Sequence, residues 1–510
     1  MKILYILTGL GVLAMLAEIF RFKKFLFPKV LLGLLLAIAA AVWDWNTNIH
    51  YYNNMLTFDN YALLFSIVIC ATAFLWVLSS QDFFSNASNQ TDYYALSLFA
   101  LCGAVIMVSY TNLLMLFLGI EILSIPIYVL AGSRKDDLSS NESALKYFLM
   151  GAFATGFLLF GITLVYGACG TFDLGVLGTY IGSPESITSW RGPGGETLLF
   201  AGILLILIGM SFKVAAVPFH FWTPDVYQGA PTPVTAFMST IVKTAAFAAF
   251  LRLFMSCFVG YASLWNDIIW TLAALSILLG NITAVYQSNV KRMLAYSGIS
   301  HAGYMMLAIL TSGDMSSGAV LYYSAAYSVA SIGAFAVLAI VEQHTPSLPS
   351  PKGKEEGVQP SPFGTAGGRE RSSGGGGIDS FTGLSKRNPL LAFSMTISML
   401  SLAGIPPLAG FFGKYYLFSS ALQSGYVWLV LIAVLGSLIG VYYYLKVIIK
   451  IYSPPQPSQR DGDESSKLLS FGQPKVASEA LGWSITILIF LTIALSLLLG
   501  IFPDLIIRLI

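Results

Sequence analysis

Apolar runs of about twenty residues recur along nearly the whole chain, separated by short polar stretches, and each is long enough to cross a bilayer core of about 30 Å as a helix. Only 10% of the 510 residues are charged, against roughly 25% in an ordinary soluble domain, which excludes a soluble globular enzyme. A polytopic all-α membrane protein is expected. Hydropathy places spans near 3–20, 28–45, 58–80, 93–110, 111–132, 143–168, 198–217, 230–258, 265–285, 292–311, 316–342, 388–420, 425–445 and 477–508. The first run is longer than a signal-peptide core, lacks a small-x-small cleavage site and ends in Arg21, Lys23 and Lys24, so it reads as a retained span.

Charge position then orients the bundle. Of 27 basic residues, nineteen fall in odd-numbered loops and three (Lys2, Arg191, Arg508) on the other side, which predicts cytoplasmic odd loops and both termini outside. The net charge of +2 and the scatter of the basic residues give no nucleic-acid-binding stripe. Cys70, Cys102, Cys169 and Cys257 lie far apart with no CxxC pair, which removes the usual iron-sulfur and zinc spacings and leaves them as small apolar residues. Residues 343–387 and 453–476 are rich in Gly, Pro, Ser and charge, and are expected to be flexible connections.

Five cations belong to no loop: Lys146, Lys213, Lys243, Arg252 and Lys414. Glu121 is the one carboxylate expected near the middle of a span, and the lysines are its candidate partners. A lone charge at the centre of a membrane helix costs about 2.5–3.5 kcal/mol on the insertion scale, so such residues need a reason. Arg252, toward the outer end of its span, suits snorkelling, and Lys146 could also reach an interface. Lys213, Lys243, Lys414 and Glu121 lie too deep for that. An amine, unlike a guanidinium, surrenders its proton readily when desolvated. A carboxylate 4 Å away is worth about 4 kcal/mol at an effective dielectric of about 20, enough to carry a half-desolvated amine across neutral pH. Moving one charge against the membrane potential takes about 2.3 kcal/mol per 100 mV, a comparable quantity.

Prolines break the helices beside these lysines. Pro218, Pro224, Pro231 and Pro233 stand between Lys213 and Lys243, and Pro406 and Pro407 precede Lys414. Interrupted segments in corresponding parts of two halves are what an internally repeated transporter shows, although simple kinks for packing would also use proline. His220 and His301 approach membrane depth and are either proton relays or satisfied interior histidines; four histidines in all are too few for paired haem ligation. Thr235, Ser239 and Thr244 could hold water or serve helix packing.

The stretches LGIEILSIPIYVLAG, SALKYFLMGAFATGFLLFG, SFKVAAVPFHFWTPDVYQGAPTPVTAF, STIVKTAAFAAFLR, VKRMLAYSGISHAGY and SLAGIPPLAGFFGKYY resemble the antiporter-like membrane subunits of respiratory complex I. The resemblance covers most of the chain from Leu96 to Tyr444. Lys rather than Glu at 414, and a chain that stops at Ile510 without a long lateral helix, favour the branch that is the counterpart of mitochondrial subunit 2.

The resemblance implies about fourteen transmembrane helices, with broken helices 7 and 12. It divides the chain into an N-terminal three-helix segment (1–92), two inverted five-helix repeats (93–258 and 265–452) and a C-terminal helix (477–510). It assigns proton translocation to Glu121, Lys146, Lys213, Lys243 and Lys414, with His220 and His301 as possible relays. It implies no cofactor in this chain, flavin, iron-sulfur clusters and quinone being expected in partner subunits. The partners would be other membrane-arm subunits, antiporter-like ones included, and the lipid of a bacterial inner membrane or an organelle membrane. The alternative is a subunit of a multisubunit cation/proton antiporter.

Overall fold

The computed structural model describes residues 1–85, 89–182, 193–311, 315–344, 376–454 and 482–507. Helices α1 (Lys2–Ile19) and α2 (Leu26–Trp43) lead through a small antiparallel hairpin, β1 (Ile49–Tyr51) and β2 (Leu56–Phe58), to α3 (Asn60–Ser85), α4 (Gln90–Ser109), α5 (Leu113–Ala131) and α6 (Leu138–Cys169). A short α7 (Leu174–Gly182) precedes α8 (Pro193–Val214) and α9 (Trp222–Gly229), the two arms of one broken helix. Next comes α10 (Thr232–Cys257), helical throughout but wound as π turns at Met238–Val242 and Leu253–Cys257. Then follow α11 (Ala262–Val285), α12 (Val290–Ile309), α13 (Met315–His344), the single turn α14 (Leu384–Arg387), a second broken pair α15 (Pro389–Ala403) and α16 (Ala409–Gln423), α17 (Val427–Tyr452), α18 (Trp483–Ile501) and α19 (Asp504–Ile507).

Twelve helices among the described residues are long and apolar enough to cross a bilayer. Two of the expected spans are not among them. One is α12, whose apolar run carries Lys291, Arg292 and His301; the other is 388–420, divided between α15 and α16. Asx side chains start several helices by accepting from the first free N–H groups: Asn112 from Leu114, Asp137 from Ser139, Asn289 from Arg292 and Asn388 from Leu391.

The core lies around α10 and α13. The most apolar stretch of α10 is fully buried and that of α13 is 94% buried, against 33% for α1, α6 and α17, whose outer faces present Leu, Phe and Trp side chains. Small residues allow close approach where no hydrophobic effect drives helices together in lipid. A Cβ on Gly161 of α6 would stand 2.8 Å from the Gly202 carbonyl of α8, and this seam fixes the arm that ends in Lys213.

Three expectations change. Arg252 does not snorkel: its side chain is 10% exposed, it pairs with Asp59 at 2.7 Å and lies 4.7 Å over the Tyr61 ring, because the start of α3 brings an acid to it. Lys291, expected in a loop, is buried and donates to the Ala230 carbonyl at 2.6 Å. Of the expected flexible stretch 343–387, residues 345–375 lie outside the described residues, as do 455–476 of the second polar connection and 477–481 at the start of the last expected span. Residues 376–387 are docked: the Val290 N–H donates to the Gly376 carbonyl and the Ile378 N–H to the Ser288 carbonyl, each at 2.9 Å, and Phe381 and Leu384 are fully buried.

Candidate functional site

The two helix breaks close in the same way. After α8 the Ala216 N–H bonds to the Ser211 carbonyl and the Ala215 N–H to Phe212; after α15 the Ile405 N–H bonds to Leu400 and the Gly404 N–H to Ser401. Each is a Schellman closure with its turning residue in the left-handed region, Ala215 at φ 62° and Gly404 at φ 83°. The Val217–Pro218 and Pro406–Pro407 peptides that follow are both cis. Alanine in that region costs about 1–2 kcal/mol, so the first break is held against local strain.

Each break presents the negative end of a helix to a lysine. Lys213 lies in the last turn of α8 itself. Lys414 reaches back from α16 and donates to the Ala403 carbonyl, one of the unpaired carbonyls ending α15, at 2.8 Å, and to Ser437 at 2.9 Å. The Lys213 ammonium also donates to Ser124, which stands one turn along α5 from Glu121 and itself donates to Ile120. The Glu121 Oε1 is buried with no hydrogen-bond partner among the described residues.

The third lysine is central. Lys243 follows the first π turn of α10, a winding frequent at functional sites, and donates to the Gly298 carbonyl of α12 at 2.5 Å. Gly298 has no side chain to spare: a Cβ there would stand 3.3 Å from both the Lys243 Nζ and the Tyr327 hydroxyl. Gly404 does the same for Lys414, whose Cδ would lie 2.9 Å from an added Cβ. Two of the three deep ammonium groups thus occupy space that a glycine leaves open.

From Lys243 a line of polar groups runs across the bundle. Its Nζ lies 5.9 Å from the Tyr327 ring centre, and that ring is 4.9 Å from the His301 ring. His301 bonds through Nδ1 to the Tyr323 hydroxyl at 2.5 Å and through Nε2 to the Tyr444 hydroxyl at 2.9 Å; Tyr444 also bonds Ser297. With both ring nitrogens hydrogen-bonded, a neutral imidazole donates on one side and accepts on the other, the arrangement a relay requires. His301, Tyr323, Tyr327 and Lys414 border a small cavity with about 10 Å³ open to water, close to the space of a single water molecule. Toward Lys213, buried polar atoms without protein partners gather on the first break: Ser211 Oγ, His220 Nδ1, Trp222 Nε1 and Thr223 Oγ1. Buried groups of this kind bond to ordered water.

Burial separates the predicted site residues. Lys213, Lys243 and Lys414 are 9%, 3% and 6% exposed and, among the described residues, none has a carboxylate within 4 Å. His301 is buried and His220 half-buried at the break. Lys146 stands apart: its side chain is 42% exposed and pairs with Glu142 at 2.7 Å and Asp225 at 2.9 Å. It borders a vestibule of about 1030 Å³ with Arg134, Asp225, Lys291 and Glu342. Asp225 also binds Arg292 at 2.8 Å and so bridges α6, α9 and α12. Sequence reasoning missed Asp225, although it stands one residue after Pro224, and missed Glu342, placed at a span end; the Tyr323, Tyr327 and Tyr444 hydroxyls carried no signal at all. Among the described residues no group of three His, Cys, Asp or Glu side chains is placed to hold a metal ion.

The chain matches the family described as NADH:quinone oxidoreductase/Mrp antiporter over residues 110–356 and 358–440. It is 43% identical to NADH-quinone oxidoreductase subunit N of Cytophaga hutchinsonii over 514 aligned residues, covering 100% of this chain and 99% of that one. A chain of respiratory complex I from Thermus thermophilus, solved with bound aureothin, superposes with a TM-score of 0.75 at 31% identity, covering 99% of this chain and 98% of that one. A chain of the Mrp complex from a Dietzia species superposes with a TM-score of 0.78 at 19% identity, covering 99% and 95%, a likeness of fold alone.

Proposed function

The chain belongs to the NADH:quinone oxidoreductase/Mrp antiporter family of membrane subunits, and from that premise we propose that it is a proton-translocating membrane-arm subunit of an NADH-quinone oxidoreductase, the counterpart of subunit N. It is a multi-pass membrane protein whose chemistry is movement of protons, redox turnover being the work of partner subunits.

One observation supports this reading above the others. Three ammonium groups are buried inside the helix bundle on carbonyl and hydroxyl acceptors, with no carboxylate among the described residues within 4 Å. An unpaired buried cation is costly and adds no stability, so a chain that keeps three of them uses their protons. In the proposed cycle Glu121 modulates Lys213, Lys243 is the central carrier, the His301 group links it to Lys414, and Lys414 passes the proton toward the outer side. The like closure of the two breaks supports two structural repeats, 93–258 and 265–452. Lys146 serves as the charged partner of Asp225 at the vestibule and not as a carrier in the interior. Arg134, Lys291 and Arg292 at the vestibule support the reading that this end is the cytoplasmic side of a bacterial inner membrane, with both termini outside.

The rival reading, a subunit of a cation/proton antiporter, shares the fold; identity along the full length to a subunit N relative favours the oxidoreductase. Co-purification with flavin and iron-sulfur subunits separates the two. The role of Lys243 is tested with Lys243→Ala in vesicles holding the purified complex: proton pumping is lost while NADH oxidation continues, and full pumping removes Lys243 from the pathway.

A further inference from the structure

Three helices carry polar groups both at Lys243 and at the vestibule. On α10, Thr232 precedes Lys243 by 11 residues with a π turn between them; on α12, Lys291 precedes Gly298 by 7 residues, two turns; on α13, Glu342 follows Ser331 by 11 residues. The pairs on α12 and α13 lie close to one face of each helix, and α10 packs on both. At the upper end stand Lys243, the Gly298 carbonyl and Tyr327, with Ser331 one turn further along α13. At the lower end Thr232 donates to Glu342, and Lys291 is buried. Both Glu342 and Lys291 border the vestibule. The rise along α12 from Lys291 to Gly298 is about 10 Å, and that along α10 from Thr232 to Lys243 about 15 Å.

We propose, on the reading of Lys243 given above, that Glu342 is the loading acid of the central lysine: a carboxyl held by Thr232 at the vestibule floor that takes protons from the cytoplasmic side and passes them to Lys243. The acid form of Glu342 gives its proton to the neutral Lys243 amine by way of the Thr235, Ser239 and Thr240 hydroxyls that α10 carries between Thr232 and Lys243, leaving a carboxylate and an ammonium. The carboxylate then takes a proton from vestibule water, and the charge on Lys291 offsets the negative charge in between. Arg134 and Asp137 are the other charged groups that face Lys291 here, from the connection between α5 and α6. The Asp225 group on the opposite wall is occupied by Lys146 and Arg292, so Glu342 is the acid left on the side of α10 and α13.

The experiment uses the whole complex in vesicles, with NADH-driven acidification followed by a pH dye. A positioned carboxyl contributes about 10²–10⁴-fold to proton transfer, so Glu342→Gln slows pumping at least about tenfold while subunit content stays intact. Azide or formate, small weak acids that enter the vestibule, restore the rate, and Glu342→Asp pumps within about threefold of the parent. Thr232→Val, which leaves the acid present but unheld, slows pumping by a smaller factor. Unchanged pumping in Glu342→Gln, or a loss that neither azide nor formate relieves, overturns the proposal. Lys243→Ala run in parallel keeps the two ideas apart: if it stops pumping while Glu342→Gln does not, only the loading role falls, and if both pump fully the central-lysine reading falls with it.

Discussion

Gly298→Ala separates the role of the Lys243 cradle from the stability of the bundle. Gly298 sits inside α12, where alanine is favoured over glycine by about 1 kcal/mol, so the helix itself gains. The added Cβ would lie 3.3 Å from both the Lys243 Nζ and the Tyr327 hydroxyl, so each must retreat by a few tenths of an ångström. The ammonium-to-carbonyl bond at Gly298 is worth about 1.5–3 kcal/mol as a charge-assisted hydrogen bond. Losing about 1 kcal/mol of it shifts the lysine's bonded population about fivefold. The expected variant assembles and melts at or above the parent temperature, yet pumps about fivefold more slowly per NADH oxidised. Assembly is read by thermal unfolding of the purified complex, pumping by acidification of vesicles. Parent-rate pumping in a normally assembled Gly298→Ala complex would refute the idea that Lys243 works from this cradle.

Gly404→Ala carries a heavier penalty: the left-handed backbone costs about 1–2 kcal/mol and the Lys414 stem, 2.9 Å from the new Cβ, must move, so both thermal stability and pumping fall. A variant as stable as the parent would contradict this. Tyr444→Phe removes the hydroxyl between His301 and Ser297 and leaves a buried ring nitrogen unpartnered at about 1–3 kcal/mol; pumping slows about tenfold with little change in NADH oxidation by artificial acceptors, and undiminished pumping would take Tyr444 out of the line.

How far the sequence reveals this site depends on the range of each interaction. Apolar runs, prolines and lone lysines are local signals, so the spans, both breaks and the three deep lysines are readable without coordinates. The acceptors are not local: Lys213 finds Ser124 from 89 residues away and Lys243 finds Gly298 from 55. Nor does a run such as Tyr442, Tyr443 and Tyr444 disclose that the first is exposed and the other two buried, because helix rotation is set by packing partners. Lys146 has an acid at i−4, Glu142, but a span drawn from 143 cuts the pair in two. In residues 376–387 glycine and polar content masks Ile378, Phe381 and Leu384, enough apolar surface to dock the segment.

The direction of the polar line bears on how such a chain avoids becoming a leak. A hydrated channel parallel to the helices would join the two sides of the membrane directly. Here the groups lie on different helices and are linked sideways, from Ser124 on α5 to Lys213 on α8, and from Lys243 on α10 through His301 on α12 to Lys414 on α16. Beyond Lys243, residues 245–251 of α10 are all alanine, phenylalanine or leucine and all buried, so the straight way out along that helix is dry. In the proposed cycle a proton on Lys243 leaves by moving to a neighbour whose state depends on the next charge along. On that reading a charge change at Glu121, at one edge, governs release at Lys414, at the other, and a helix break at each end supplies the negative dipole that keeps a lysine there while it is charged.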